Sequence, residues 1–229
     1  MLDICIKVFE QEQWARNFLE YGEMKFSHVT VMQDIEDKAR RDMKEGHTTD
    51  NVVARIGENM SRVMINNSHY LDLEKTAKDG IDLRGRQCFL KISYTPDCYL
   101  YSFAHITENS NDIRRRFSEL KKFGNYAVII SDYREFIRRV RNSIPDVKEG
   151  IIQYKQQPSS IFEKALSYQY ESEERIIFNG SCNSDKILFK RVGSIKDIAY
   201  YCTTNQFDEL AEMTVNAVDI LNRKINFNW

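Results

Sequence analysis

The chain has 229 residues, of which 42% are hydrophobic and 12% aromatic. These fractions exclude an intrinsically disordered protein and suit one compact domain of generous size or two small ones. Lys and Arg number 33 against 34 Asp and Glu. That balance argues against a protein that coats DNA, although a local basic groove is still compatible with it.

The cysteines and the N-terminus indicate the compartment. Five cysteines are scattered along the chain without a C-x-x-C pair: Cys5, Cys88, Cys98, Cys182 and Cys202. They indicate reduced, mostly buried thiols rather than a zinc ribbon or a redox motif. The N-terminus has no signal-peptide pattern, and no apolar run approaches the roughly 20 residues that span a bilayer. We therefore expect a soluble, cytoplasmic protein without a membrane partner.

Hydrophobic periodicity and turn signals predict the elements in chain order. In the first half they predict a strand (2–9), a helix (10–21) capped by Gly22, a strand (24–32) and a charged helix (34–45). A helix (about 51–63) and two strands (87–94 and 99–105) follow. In the second half they predict two helices (113–123 and 133–142) with a buried strand (126–131) between them. A strand (151–155), a helix (159–167) and a Glu-rich strand follow, and then two short strands (187–192 and 198–202) and a terminal helix (208–223). Strict βαβ alternation is absent. The sequence therefore predicts an α+β fold with a mixed or antiparallel sheet, as one domain (1–229) with a candidate polar insertion around 47–80.

The segment from Tyr168 to Phe178 places three glutamates and an arginine at the start of an apolar run. Interpreted as a strand, it puts Glu171 and Glu173 on one face, about 7 Å apart. Two such carboxylates repel each other and resist desolvation, so folding alone does not favour them. The pair can serve as an acid/base or hydroxyl-orienting site. The alternative is a solvated sheet face with Arg175 as the local counter-ion.

Four motifs follow one another along the chain. The first is Gly22–Ser27 (GEMKFS). The second is an acidic run formed by Glu36, Asp37, Arg40, Asp42, Glu45 and Gly46. The third is Leu100–Phe103 (LYSF). The fourth consists of Lys164, Tyr168, Tyr170, Glu171, Glu173 and Arg175. In this order they resemble a large bacterial and phage family of mostly uncharacterised activity. More remotely, the order is similar to the ADP-ribosyltransferase superfamily, which carries a basic residue on its first strand, a Ser or Tyr on a middle strand and E-x-E on a late one.

The resemblance to ADP-ribosyltransferases implies a split sheet flanked by helices and NAD as a substrate. Glu173 would polarise the nicotinamide-ribose 2′-hydroxyl, Glu171 would position or deprotonate the acceptor, and Ser102 would support the catalytic glutamate. The residues it implies for binding NAD are Lys7, Ser27, Arg40, Tyr101, Ser102 and Arg175. Because nicotinamide is already a good leaving group, the protein mainly supplies electrostatics and positioning.

The chain departs from the superfamily pattern at three places. Lys7 stands where Arg or His is usual, and Ser-Phe-Ala at 102–104 replaces Ser-Thr-Ser. Because Glu174 directly follows Glu173, the assignment of the catalytic glutamate is ambiguous by one residue. In a strand, neighbouring residues point to opposite faces. The implied protein is a toxin or a phage-defence or counter-defence effector. It would modify a nucleic acid (RNA or DNA) or a protein, and it would come with a neutralising partner protein or an autoinhibited state.

The acidic segment 34–45 has three interpretations. Its carboxylates could bind a hard metal ion in a nuclease, but basic residues are interleaved at pairing distances and favour a solvated, salt-bridged helix. In the third, Arg40 turns inward and binds a phosphate. No His or Cys pair has metal-ligand spacing, so the sequence predicts no metal site elsewhere. His28 on the second strand is typical of a hydrogen-bonded structural histidine.

Residues 112–141 carry a local excess of positive charge with aromatic residues between. Arg114, Arg115, Arg138 and Arg139 could form a groove for RNA or single-stranded DNA, and the alternative is two solvated helix faces. Three functions therefore stay open: an NAD-dependent ADP-ribosyltransferase, which we favour, a non-catalytic nucleotide- or partner-binding module of the same fold, and a metal-dependent nuclease.

Overall fold

A computed structural model of the chain describes residues 3–31, 48–64, 70–107, 112–180 and 185–226. The chain divides into two compact units, Met1–Gly46 with Pro96–Trp229, and His47–Thr95. The polar insertion expected around 47–80 lies within the smaller unit. The predicted acidic helix 34–45, with Arg40, lies outside the described residues.

The larger unit is built on an eight-stranded antiparallel sheet. Its strands are β1 (Asp3–Phe9), β2 (Glu23–His28), β7 (Cys98–Thr107), β8 (Tyr126–Ile130), β9 (Lys148–Ile151), β12 (Glu173–Asn179), β13 (Ile187–Arg191) and β14 (Ala199–Thr203). A separate parallel pair joins β10 (Gln153–Lys155) to β11 (Glu163–Ala165). These elements confirm the expected mixed α+β class with a large antiparallel sheet.

Strand β7 is where the sheet divides. It pairs with β12 over Cys98–Ala104, while its other neighbours are β2, at Tyr99 and Leu100, and β1, from Ala104 to Thr107. Residues 101–103 therefore lie between the two pairings, and β1 and β2 diverge from the same strand. The result is a crevice between β1 and β2, opposite the side of β7 that carries β12.

Helices cover both faces of this sheet. They are α1 (Glu12–Tyr21), α3 (Ile113–Leu120), α4 (Tyr133–Ser143) and α5 (Phe207–Asn226). Successive strand residues point to opposite faces, and Cys5, Val128 and Ile130 pack with α1 and α4. Their neighbours Ile6 and Ile129 pack with α3 and α5. The arrangement is three layers, with the sheet in the middle; we call the first face the α1/α4 face and the second the α3/α5 face.

In the part of the smaller unit that the structure describes, there are two antiparallel strand pairs and one short helix. Strand β3 (Thr48–Arg55) pairs with β6 (Gln87–Tyr94), and β4 (Arg62–Met64) pairs with β5 (Tyr70–Asp72). Helix α2 (Leu73–Lys78) follows at once, with the Asp72 carboxylate accepting hydrogen bonds from two backbone N–H groups of its first turn. Across the described ranges of both units, no helix has the length and apolar character needed to cross a bilayer.

Two predicted helices are wrong. Residues 51–63 form most of β3 and the start of β4, because β-branched residues near 48–53 pair with a distant strand that local periodicity cannot reveal. Instead of the predicted helix, residues 159–167 form a turn, then β11 and the first two residues of a 3-10 helix (Leu166–Glu171). There the Ser160 hydroxyl accepts from the Phe162 N–H, and the Glu163 carboxylate accepts from the Ser159 N–H, so local side-chain bonds compete with helix formation.

Candidate functional site

Glu171 and Glu173 converge, but not along one strand as predicted. Glu171 ends a 3-10 helix (Leu166–Glu171), and β12 begins at Glu173. Between them Ser172 has a left-handed backbone with φ of 46°, a region that residues other than glycine seldom adopt. This single turn replaces the expected strand alternation. The prediction that both glutamates share a strand face is therefore wrong.

Lys164 joins the two carboxylates. Its Nζ lies 2.7 Å from Oε2 of Glu171 and 2.8 Å from Oε2 of Glu173. All three side chains are buried, with 3% of Lys164, 7% of Glu171 and 8% of Glu173 exposed. Because isolated charges are costly to bury, the ammonium is what allows two carboxylates to share this interior site.

The Glu173 carboxylate has two further partners, one on its own strand and one on the neighbouring strand β7. Arg175 donates from Nε to Oε1 at 2.6 Å and from Nη2 to Oε2 at 3.3 Å. Ser102 on β7 donates its hydroxyl to Oε1 at 2.5 Å. Burial by itself raises the pKa of Glu173, but the charges and hydrogen bonds of Arg175 and Lys164 outweigh it and hold that pKa well below the usual range. The carboxylate is therefore ionised at neutral pH.

The register of β7 and β12 places Glu173 and Ser102 on the α3/α5 face. Directly paired residues of antiparallel strands point to the same face, and the register pairs Ser102 with Arg175 and Ala104 with Glu173. Glu174 points to the α1/α4 face, where it pairs with Phe103 and contacts His105. The one-residue ambiguity is thus resolved: Glu173 is the glutamate that shares its face with Ser102.

Lys7 lies at the base of the crevice between β1 and β2. Its Nζ donates to the main-chain carbonyl of Ser102 at 2.5 Å and lies 4.5 Å from the centre of the Tyr101 ring. Burial lowers the pKa of Lys7 to about 8, against the opposing effect of Glu173. Lys7 therefore still carries most of its charge at neutral pH.

A pocket with a volume of about 290 Å³ opens in this crevice. It is lined by Lys7, Val8, Phe9, Glu10, Trp14, Glu23, Lys25, Ser27, Tyr101, Phe123 and Phe189. The volume is at the lower end of the range of about 300–1,000 Å³ for small-molecule sites, so it fits one nucleotide-sized moiety rather than a whole dinucleotide. The acidic residues of this lining are Glu10 and Glu23, and Glu23 accepts hydrogen bonds from Arg191.

The residues predicted to bind NAD fall into two groups. Lys7, Ser27 and Tyr101 line the pocket. Arg175 is buried beside Glu173 and also donates to the carbonyl of Ile161 at 2.6 Å. Ser102 lies between the groups, since its carbonyl meets Lys7 and its hydroxyl meets Glu173. Within the described chain, the hydroxyl of Tyr101 is buried without a hydrogen-bond partner.

The four arginines predicted to bind nucleic acid do not form one surface. Arg114 and Arg115 lie on α3 and Arg138 and Arg139 on α4, and these helices pack on opposite faces of the sheet. Three of the four also contact carboxylates: Arg114 contacts Glu212, Arg138 contacts Glu135, and Arg139 contacts Glu135 and Asp197. The structure thus separates the pairs that a single groove would need to bring together.

His28 has the structural environment that its isolated position indicated. Its Nδ1 lies 2.9 Å from Thr30 Oγ1, and its Nε2 lies 3.0 Å from Asp97 Oδ1. Lys164 belongs to the fourth motif, but no role was predicted for it. Lys25 and Trp14 on the pocket wall were not among the predicted site residues. The signal for Lys25 was its position two residues before Ser27, on the same strand face.

Comparison with known proteins gives no relative. No protein-family model, no curated protein and no solved structure matches the chain significantly.

Proposed function

We propose that the chain is an ADP-ribosyltransferase-like enzyme that binds NAD in the crevice between β1 and β2 and transfers ADP-ribose to a nucleic-acid or protein acceptor. One observation carries the proposal. Ser102 links the crevice to the Glu173 carboxylate. Its main-chain carbonyl accepts a hydrogen bond from Lys7 at the base of the crevice, and its hydroxyl donates one to Glu173. A cationic pocket wall and an ionised carboxylate are thus adjacent in a divided sheet.

The crevice offers what a nucleotide phosphate and base need. Lys7 and Lys25 supply two ammonium groups on the pocket wall, and Trp14 and Phe189 supply partly exposed aromatic rings. Ammonium groups bind phosphate oxygens through charge-assisted hydrogen bonds, and aromatic rings stack on bases. Because the pocket fits only one nucleotide-sized moiety, the rest of NAD extends over the α3/α5 face, to which Ser27 and Ser102 point.

The chemistry asks for charge stabilisation. In the transfer, the bond between C1′ of the ribose and the nicotinamide nitrogen breaks, and its electron pair leaves with nicotinamide. The ionised Glu173 carboxylate stabilises the positive charge that develops on the ribose and accepts a hydrogen bond from its 2′-hydroxyl. The acceptor then attacks C1′ and loses a proton, for which Glu171 is the nearby carboxylate.

Access to Glu173 requires a rearrangement. Residues 154–171 contribute four contacts around it: Tyr154 at its N–H, Lys164 at its carboxylate, Ile161 at Arg175, and Glu171 through Lys164. This covering segment must shift for a ribose to reach the carboxylate. The Ser102 hydroxyl, which is half-buried and rotates about one bond, is the contact that a substrate hydroxyl can replace.

The same enclosure favours a second candidate, a non-catalytic module that binds a nucleotide or a partner protein. An ionised carboxylate has about four acceptor positions, and Ser102, Lys164 and the two Arg175 contacts already use that number. In this alternative the cluster only holds the covering segment, and the pocket alone binds the ligand. The third candidate, a nuclease, depends on residues 34–45, which lie outside the described part of the chain.

Glu173→Gln separates the two candidates, because it keeps the shape of the side chain and removes its charge. Glu149→Gln is the matched control, since the Glu149 side chain is only 19% exposed and pairs with Arg141 but lies on β9, outside the covering segment. NAD consumption would be measured for each folded variant. RNA and protein from cells expressing each one would be examined for added ADP-ribose by mass spectrometry.

If the protein is an enzyme, we expect NAD consumption and a mass addition with the wild type and the Glu149→Gln variant, and loss of both with the Glu173→Gln variant. Stabilisation of the fold by NAD without turnover identifies the binding module. Folded wild type that neither consumes NAD nor is stabilised by it would refute the enzyme and a module that binds NAD. The expected cytoplasmic location, toxic effect and neutralising partner belong to the same proposal, and co-purification from the native host tests the partner.

A further inference from the structure

The α1/α4 face of the sheet carries a second cluster that the proposed reaction does not use. Cys5 on β1 is directly paired with His105 on β7, and Glu174 on β12 lies beside them. A ligand-capable atom from each residue lies within 4.8 Å of the others, and all three residues are buried. Three adjacent strands thus deliver a sulfur, a nitrogen and a carboxylate oxygen to one point.

Two atoms of this cluster make no regular hydrogen bond. His105 Nδ1 and Glu174 Oε2 lie 2.7 Å apart, within the distance of an ion pair, but without the angles of a hydrogen bond. Both are buried without a hydrogen-bond partner among the described residues. The side chains are 7% and 3% exposed, so solvent does not satisfy them either. Buried polar atoms in this condition point to a group that binds between them.

The surrounding contacts orient these atoms toward a common centre. The carboxylate of Asp3 contacts His105 Nε2, and the hydroxyl of Tyr133 donates to Glu174 Oε1. A carboxylate on the far nitrogen of a histidine fixes the tautomer that presents the other nitrogen as a ligand. The hydrogen bond from Tyr133 to Oε1 likewise fixes the orientation of the Glu174 carboxylate.

We propose that Cys5, His105 and Glu174 form a buried site for a thiophilic divalent metal ion such as zinc. Sulfur, imidazole and carboxylate together suit zinc, cobalt or copper rather than magnesium or calcium. The ion completes its coordination with water or with the second oxygen of Glu174. Local spacing could not reveal this site, because its residues come from three separate strands.

Binding requires a small opening of the cluster. Tetrahedral zinc, with bonds of about 2.0–2.2 Å to nitrogen and oxygen, separates two such ligand atoms by roughly 3.3 Å. The present 2.7 Å between Nδ1 and Oε2 must therefore widen by a fraction of an ångström, which a change of side-chain torsion supplies. Cys5 enters as a thiolate, and its proton leaves to solvent on binding.

An ion at this position joins β1, β7 and β12 behind the site on the other face. Glu174 follows Glu173 directly, so a metal bond to Glu174 fixes the start of β12. The role of the ion is therefore structural, and the site is independent of whether the crevice binds NAD.

Metal binding by the purified, full-length, chelator-treated protein tests the site. We expect about one zinc ion per chain by mass spectrometry of the metal content, and a thiolate-to-metal charge-transfer band when Co²⁺ replaces zinc. A variant in which the other four cysteines become serine leaves the site intact: Cys88→Ser, Cys98→Ser, Cys182→Ser and Cys202→Ser. It should keep the band.

Matched single variants complete the test. His105→Gln should weaken binding at least tenfold, whereas His28→Gln, which changes another buried histidine outside the cluster, should leave binding unchanged. Asp3→Asn should weaken it by roughly 10–100-fold, as loss of an orienting partner does. A folded wild type that takes up neither ion, or a folded four-cysteine variant without the band, would overturn the proposal.

Discussion

Lys7 and Ser102 meet where the sheet divides, with the Lys7 ammonium 2.5 Å from the Ser102 carbonyl oxygen. Ser102 lies between the residues of β7 that pair with β2 and those that pair with β1. A side chain therefore supplies a hydrogen bond in the interval between the two neighbouring strands. This contact keeps a positive charge inside the crevice, where a phosphate can approach it.

Lys7→Met should reduce the affinity for NAD by about 10–100-fold, the value of one charge-assisted hydrogen bond. Lys190→Met is the control, because Lys190 is exposed on β13 and does not line the pocket. Isothermal titration calorimetry of both folded variants measures the difference. Equal losses in the two variants would contradict a specific role for the crevice.

Lys164→Met should lower the free energy of unfolding by about 3–5 kcal/mol, because it leaves two buried carboxylates without their shared ammonium. Lys155→Met should cost only about 0–1 kcal/mol, since the Lys155 side chain is 48% exposed in its pair with Glu163. Urea unfolding of each variant gives the two values. Adding Glu171→Gln to Lys164→Met should recover part of the loss, and the absence of any recovery would argue against a shared site.

The ionised state of Glu173 should make stability depend on pH. Its folded-state pKa lies below the usual 4.5, because Arg175 and Lys164 outweigh the effect of burial. The unfolded chain therefore binds the proton more readily, and the stabilisation is present above about pH 4.5 and is lost progressively as pH falls below it. The difference in unfolding free energy between wild type and Glu173→Gln should be large near pH 7 and shrink toward pH 3. A constant difference would contradict this assignment.

Gly22→Ala should destabilise the fold by more than about 2 kcal/mol, since strain and a steric clash add together. Gly22 ends α1 with φ of 59°, and a Cβ there would lie 2.4 Å from the carbonyl oxygen of Gly193. Gly193→Ala, at φ of 87° with no atom within 4 Å of its Cβ, should cost only about 1 kcal/mol of strain. Thermal unfolding would compare them, and similar losses would show that packing at Gly22 relaxes.

Local signals predicted most elements of the larger unit. The helices at 12–21, 113–120 and 133–143 follow from apolar spacing, and Gly22 ends the first of them as expected. The failures at 51–63 and 159–167 share one cause, which is pairing with another segment of the chain that no local pattern records. At 159–167, the hydrogen bonds of Ser160 and Glu163 with local backbone N–H groups also oppose a helix.

The site was predictable only in part. The sequence brought attention to Glu173, Ser102 and Lys7, and the structure places them next to one another. It could not show that Lys164 holds Glu171 and Glu173 together, because the left-handed turn at Ser172 has no signal in a residue type that seldom adopts it. Nor could it show that the basic helices lie on opposite faces, which depends on the sheet between them.

The pairing of β7 with three neighbours also constrains the order in which the chain can fold. Its partners β1 and β2 are complete by residue 28, but β12 ends only at Asn179. During synthesis, one edge of β7 therefore stays unpaired while some seventy further residues emerge. A nascent or prematurely ended chain would expose that apolar edge to other molecules, and its rescue would depend on chaperones until the last part of the sheet arrives.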